Sequence, residues 1–123
     1  MNPGNGAPDV ADLLALARDD SLPSPRWTLQ SDDLNANLLV FARDRGVADH
    51  VNTEVDVLVV GVYGEGIVTI DGRRHALHAG QALLIPKGAR RSTTSTSGRF
   101  AYLTCHQRRR PLMPRVSSRG GEE

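Results

Sequence analysis

The sequence predicts a single all-β domain, a sandwich or small barrel of short strands. Three observations predict it. From Trp27 onward, turn signals recur about every 8 to 12 residues, the spacing of strands in sandwiches and barrels. Val55 to Tyr63 reads VDVLVVGVY, a largely β-branched run that suits a strand buried on both sides. The chain has 123 residues, 39% apolar and 24% charged, enough for one domain with its own core and no need of a disulfide or metal to fold. Aromatics make up only 4%, so that core is expected to be aliphatic.

Residues 1–26 read as an N-terminal extension. Met1 to Pro8 is rich in Gly, Pro and Asn and is expected to be disordered. Asp9 is placed to cap a short helix from Val10 to Arg18, and Ser21 to Pro25 breaks the pattern. Residues 27–107 form the β domain. Leu34 to Phe41 is its first clear strand, followed by a turn at Arg45-Gly46. Ala48 to Glu54 alternates, and an unbroken strand there puts His50, Asn52 and Glu54 on one face. After Val55 to Tyr63, Gly64-Glu65-Gly66 interrupts and Ile67 to Ile70 resumes. Asp71-Gly72 is the strongest hairpin signal in the chain. Arg74 to Leu77 returns, Ala79-Gly80 turns, Ala82 to Ile85 is a short strand, and Pro86-Lys87-Gly88 turns again. Phe100 to His106 is the last strand. Residues 108–123, RRRPLMPRVSSRGGEE, read as a basic, largely flexible tail, with Leu112 and Met113 available to dock on the body or on a partner subunit.

Net charge is +1, which excludes a uniformly basic nucleic-acid binder. A single cysteine, Cys105, excludes an intramolecular disulfide and any Cys-based zinc cluster. No apolar run reaches about 18 residues, so no transmembrane helix is expected. The first residues carry no basic region ahead of an apolar stretch, so a signal peptide is not expected and a cytoplasmic location follows by default.

The segment GEGIVTIDGRRHALHAGQALLIPKGARR resembles the core of a small single-domain cupin, and the resemblance runs from Leu34 to His106. Gly80, Pro86 and Gly88 fall at the spacing of the second cupin motif: a glycine, five residues, a proline, one residue, a glycine. The Gly64-Glu65-Gly66 turn and the Asp71-Gly72 hairpin also fall where a cupin has them. The resemblance implies one cupin-type β-barrel, a double-stranded β-sandwich, preceded by a short helix. It also implies four metal-ligand positions, which fall here on His50, Asn52, Val57 and Arg91. Only His50 is a usual ligand, and Arg91 puts a fixed positive charge where a dication would sit. No metal and no other cofactor is therefore expected.

Arg91 offers a fork for carboxylate or phosphate, so it is the expected anchor of a ligand. His50 titrates near neutrality and suits ligand binding or acid–base work. Asn52 has two readings, a ligand-orienting amide or a turn residue bonding its own backbone. Glu54 and Asp56 are expected to pair with Arg90 or Arg91. Tyr102 and His106 share parity with Phe100 and Thr104 on the last strand, which aims them together into a barrel interior. Val57, Val59 and Leu84 are expected to form the aliphatic walls. His75 and His78 lie on opposite faces and read as surface residues, Cys105 as a buried structural thiol, and Arg108, Arg109 and Arg110 as a solvated run.

The expected function is binding of a small anionic organic ligand by His50, Asn52, Arg91, His106 and Tyr102, without a canonical metal. No catalytic residue is assigned. The alternatives are an isomerase or epimerase with His50 as base, a metal enzyme with a displaced site at His50, Asn52, Asp56 and His106, and an assembly module. The expected partners are that ligand and a second copy in a homodimer, with neither nucleic acid nor membrane.

Overall fold

Burial alternates along the strands and so sorts their side chains onto two faces. The computed structural model describes residues 10–108. Among these, one helix, α1 (Leu13–Arg18), precedes nine strands: β1 (Trp27–Gln30), β2 (Leu34–Ala42), β3 (Gly46–Val51), β4 (Val57–Tyr63), β5 (Glu65–Ile70), β6 (Arg73–His78), β7 (Ala82–Ile85), β8 (Arg90–Ser95) and β9 (Arg99–Gln107). They form a five-stranded sheet in the order β1-β2-β9-β4-β7 and a four-stranded sheet in the order β3-β8-β5-β6. Every pairing is antiparallel. The expected all-β sandwich with a short N-terminal helix is what the chain forms.

The core lies between the two inner faces. Phe100 and Tyr102 of β9 pack with tilted rings at 5.0 Å between centroids and meet Val59 and Val68 from opposite sheets. Each such buried side chain contributes about 1.5–3 kcal/mol. Local signals fix the connections. Asp71 and Gly72 both have positive φ (48° and 83°), as a two-residue hairpin turn matched to strand twist requires. They join Ile70 to Arg73, which face each other in register.

The helix begins later than the sequence suggested. Asp12, not Asp9, is its cap: the Asp12 carboxylate accepts the Ala15 N–H at 3.0 Å, and the helix starts at Leu13. Six residues cannot hold a helix alone. Leu13, Leu16 and Ala17 pack on Leu38, Val40 and Ala101, on the outer face of the five-stranded sheet. Arg26 gathers the carbonyls at its far end, donating from Nη1 to Leu16 O (2.9 Å) and Asp19 O (2.5 Å). Arg99 adds a bond to Arg18 O and an ion pair with Asp20.

Several expectations are corrected. Strand β8 was not anticipated, because its sequence RRSTTS contains no apolar residue; it nonetheless pairs on both sides, with β3 and β5. The strand expected from Ala48 to Glu54 ends at Val51, because Asn52 turns the chain. β4 is buried on one face only: Val57 and Val59 are inside, whereas Leu58 is 42% exposed. Leu84 is 54% exposed, because its neighbour Ile85 is the residue that pairs with Val57 and points inward. Cys105 is half-buried, set by strand parity on the outer face between Ala36 and Leu58. Of the two histidines expected at the surface, His78 is exposed and His75 is half-buried. The expectations for residues 1–9 and for the tail beyond Arg108 fall outside the described residues. Among the described residues, no helix is long and apolar enough to cross a membrane.

One tight contact tests the packing. Gly66 of β5 lies against Phe100, and a Cβ there would sit 2.4 Å from the ring and 2.7 Å from Thr94 O. The backbone oxygen cannot yield cheaply, so Gly66→Ala is expected to lose about 3 kcal/mol of stability by urea titration.

Candidate functional site

The two sheets leave a cavity of about 210 Å³ between them. Its wall on the five-stranded side includes Leu39, Val57, Val59 and Ile85, with Tyr102, Thr104 and His106 projecting from β9. The parity argument for β9 is thus met: Phe100 and Tyr102 are buried, and Thr104 and His106 continue the same face into the cavity. The opposite wall comes from β3 and β8, which bring Val47, His50, Arg91, Ser92 and Thr93. Asn52 closes the end where β3 turns away. All five residues selected from the sequence therefore line one cavity. Leu84 does not, and Ile85 takes the place expected for it.

Arg91 is the buried cation of the site, 6% exposed. It sits directly opposite His50 across the β3–β8 pair, next to the register shift between Val47 and His50. Its Nε donates to His50 Nε2 at 3.2 Å. His50 Nδ1 lies 2.9 Å from Ala48 O. A carbonyl only accepts, so Nδ1 carries the proton and Nε2 presents its lone pair to Arg91. Both nitrogens of His50 are therefore committed, and its ring orientation is set from both sides.

Asn52 takes the turn reading, and it also borders the cavity. Its Oδ1 accepts from the backbone N–H of Glu54 (2.8 Å) and of Val55 (3.4 Å), which shapes the turn, while the residue still lines the cavity. The expected pairing of the nearby acids with Arg90 is not formed. Arg90 pairs with Asp49 at 3.1 Å in a solvent-exposed contact, and Asp56 accepts the Lys87 N–H at 2.9 Å. His106 Nδ1 lies 2.8 Å from Gln107 O, which leaves Nε2 for the cavity. Thr93 and Ser92 are polar lining residues that sequence reasoning missed, beside the apolar Leu39, Val47 and Ile85. Alternation through Arg91, Thr93 and Ser95 was the signal that could have found Thr93.

These donors do not fit a metal ion. The Nε2 of His50 is taken by a guanidinium, which would repel a dication at the same place. Asp56 is held by Lys87 and is absent from the cavity wall. Among the described residues, no group of three His, Cys, Asp or Glu side chains converges on a point where an ion could bind.

Tyr102 and Thr93 hold each other, with Oη and Oγ1 at 2.9 Å. Burial pushes the Tyr102 phenol above its usual 10.0, and the weaker opposing effect of the Thr93 hydrogen bond does not cancel that.

Comparison with solved structures places this architecture. The fold is shared with a cupin superfamily protein from Desulfitobacterium hafniense DCB-2, at 25% identity and a TM-score of 0.58 over 64% of this chain and 71% of that one. A cupin protein from Bacteroides fragilis aligns at 20% identity and a TM-score of 0.58, covering 74% of this chain and 79% of that one. KdgF from Halomonas sp. aligns at 21% identity and a TM-score of 0.63, covering 67% and 74%. No family model matches the sequence, and no curated protein matches it. The chain is a small cupin-fold protein, as the resemblance implied. At these identities the likeness describes the fold, and function has to be argued from the site.

The Tyr102 shift has a measurable sign. Up to about pH 10 the folded and unfolded chains both keep the phenol proton. Above it the unfolded chain releases the proton while the folded one retains it, so stability falls as pH rises. Urea midpoints are expected to drop as pH rises above about 10, and to drop less in Tyr102→Phe; equal slopes in the two proteins would contradict the assignment.

Proposed function

We propose that this protein binds a small organic anion, a carboxylate or phosphate, in the cavity between its sheets. One observation carries the reading. A buried guanidinium and two imidazoles line the cavity wall, and among the described residues no carboxylate does. Such a wall favours negative charge, and a guanidinium fork matches carboxylate and phosphate oxygens. The volume corresponds to about seven water molecules at liquid density, so the ligand is small. Leu39, Val57, Val59 and Ile85 suit an apolar portion beside the charged group. In this arrangement His50 positions Arg91, Arg91 anchors the charge, and Asn52 and His106 bound the opening.

An isomerase or epimerase with His50 as base has less support. A general base needs a free lone pair, and that of His50 is engaged by Arg91. The same contact counts against a displaced metal site that uses His50.

Anion binding is tested by thermal unfolding with butanoate, pentanoate and inorganic phosphate. At a hundred times its Kd, a ligand that binds only the folded state adds about 2.7 kcal/mol of stability. At least one probe is expected to raise the Tm of the wild type, and Arg91→Gln, which keeps a donor for His50, is expected to abolish the rise. No shift with any probe, or a shift that survives Arg91→Gln, overturns the reading.

The protein partner we propose is a second copy of the chain. α1 leaves part of the outer face of the five-stranded sheet uncovered, and there Leu58 and Leu84 stand opposite each other in register, 42% and 54% exposed. Sedimentation velocity is expected to show a dimer for the wild type and a monomer for Leu84→Glu. A wild-type monomer at micromolar concentrations would refute the homodimer.

A further inference from the structure

We propose that the Thr93–Tyr102 hydroxyl pair makes the cavity selective for an acid that carries a second hydrogen-bond acceptor, a ketone oxygen or similar group, over its alkyl analogue. This rests on the reading of the cavity as an anion site and adds a specificity to it.

Two hydroxyls bring two O–H protons. The Oγ1–Oη contact of 2.9 Å uses one of them, whichever oxygen donates. The Val47 N–H, at 3.2 Å, also points at Thr93 Oγ1, but it fills an acceptor site and takes up no proton. One hydroxyl proton is left in either arrangement. No acceptor among the described residues receives it: neither hydroxyl forms any other hydrogen bond. Both side chains are buried, at 8% and 2% exposure, and both line the cavity. The phenol stays protonated, because burial disfavours its anion. The leftover proton can therefore be matched only by what fills the cavity. A buried donor left unmatched is costly, and a ligand acceptor removes that cost where an alkyl group does not.

The same strand sets the spacing. Arg91 and Thr93 are two residues apart on one face of β8, about 6.6 Å along the strand. A carboxylate at Arg91 and an acceptor at the hydroxyl pair therefore fit within one short molecule. 4-Oxopentanoate has that pattern at a size the cavity admits, and 4-methylpentanoate replaces its ketone with an alkyl branch of similar shape.

The test is titration calorimetry of both acids with the wild type, Thr93→Val, Tyr102→Phe and the double variant. The wild type is expected to favour the keto acid by about tenfold or more. Thr93→Val leaves the tyrosine proton and Tyr102→Phe leaves the threonine proton, so each single variant keeps the preference. The double variant has neither, and its preference is expected to collapse to within about twofold. A purely structural role would weaken both acids alike and leave the ratio unchanged. Circular dichroism melts establish that the variants are folded, and the wild-type ratio stands without them. Equal binding of the two acids by the wild type overturns this proposal and leaves anion binding intact. A preference lost in either single variant, or kept in the double variant, overturns the proton count. Binding of neither acid by the wild type overturns the anion site and the selectivity with it.

Discussion

Strand β8 turns polar side chains toward the interior, and much of the site is the consequence. Strand periodicity forces Arg91, Thr93 and Ser95 onto one face, and pairing with β3 and β5 on either side presses that face against the other sheet. Each polar group must then find a partner inside. Ser95 donates to Ser97 O at 2.8 Å, Thr93 engages Tyr102 and the Val47 N–H, and Arg91 reaches His50. Because the inner face of β8 is not filled by leucines and valines, a space remains beside it. The polar wall of the cavity and the positions of His50 and Tyr102 follow from that one strand.

Much of the fold was legible from the sequence because its turns are chemically explicit. Asp71-Gly72 and the spaced Gly80, Pro86 and Gly88 fix connections that few other residues could make. Parity along β9 was enough to aim Tyr102 and His106 inward. What stayed hidden was what tertiary pairing alone decides. RRSTTS reads as a loop by hydrophobicity and is a strand because two neighbours bond to it. Ala82 to Ile85 is too short and too uniformly apolar to show which residue faces in, so Ile85 and not Leu84 emerged only with the register. The contact between His50 and Arg91 joins residues distant in the chain, and no local pattern signals it.

That contact also marks a divergence within a shared fold. The backbone positions that the cupin resemblance assigns to metal ligands are retained here, with other chemistry on them. A guanidinium donates to the one histidine that remains, and the imidazole serves to hold the arginine. In the reading proposed above, the cavity between the sheets suits an anion where the resemblance implied a cation. The ladder of backbone bonds around these inward positions does not depend on their side chains.

The turn at Asn52 shows the same separation at the rim. Asn52 shapes its own loop through Glu54 and Val55, and its carbonyl receives the Gly88 N–H at 2.7 Å, so the rim is braced by backbone bonds. His106 lies near the end of β9, beyond the aromatic cluster. Gly66 and Phe100 carry the packing of the fold, whereas Asn52 and His106 border the cavity without supporting that packing. The residues at the opening can therefore be exchanged without disturbing the packing that holds the two sheets together.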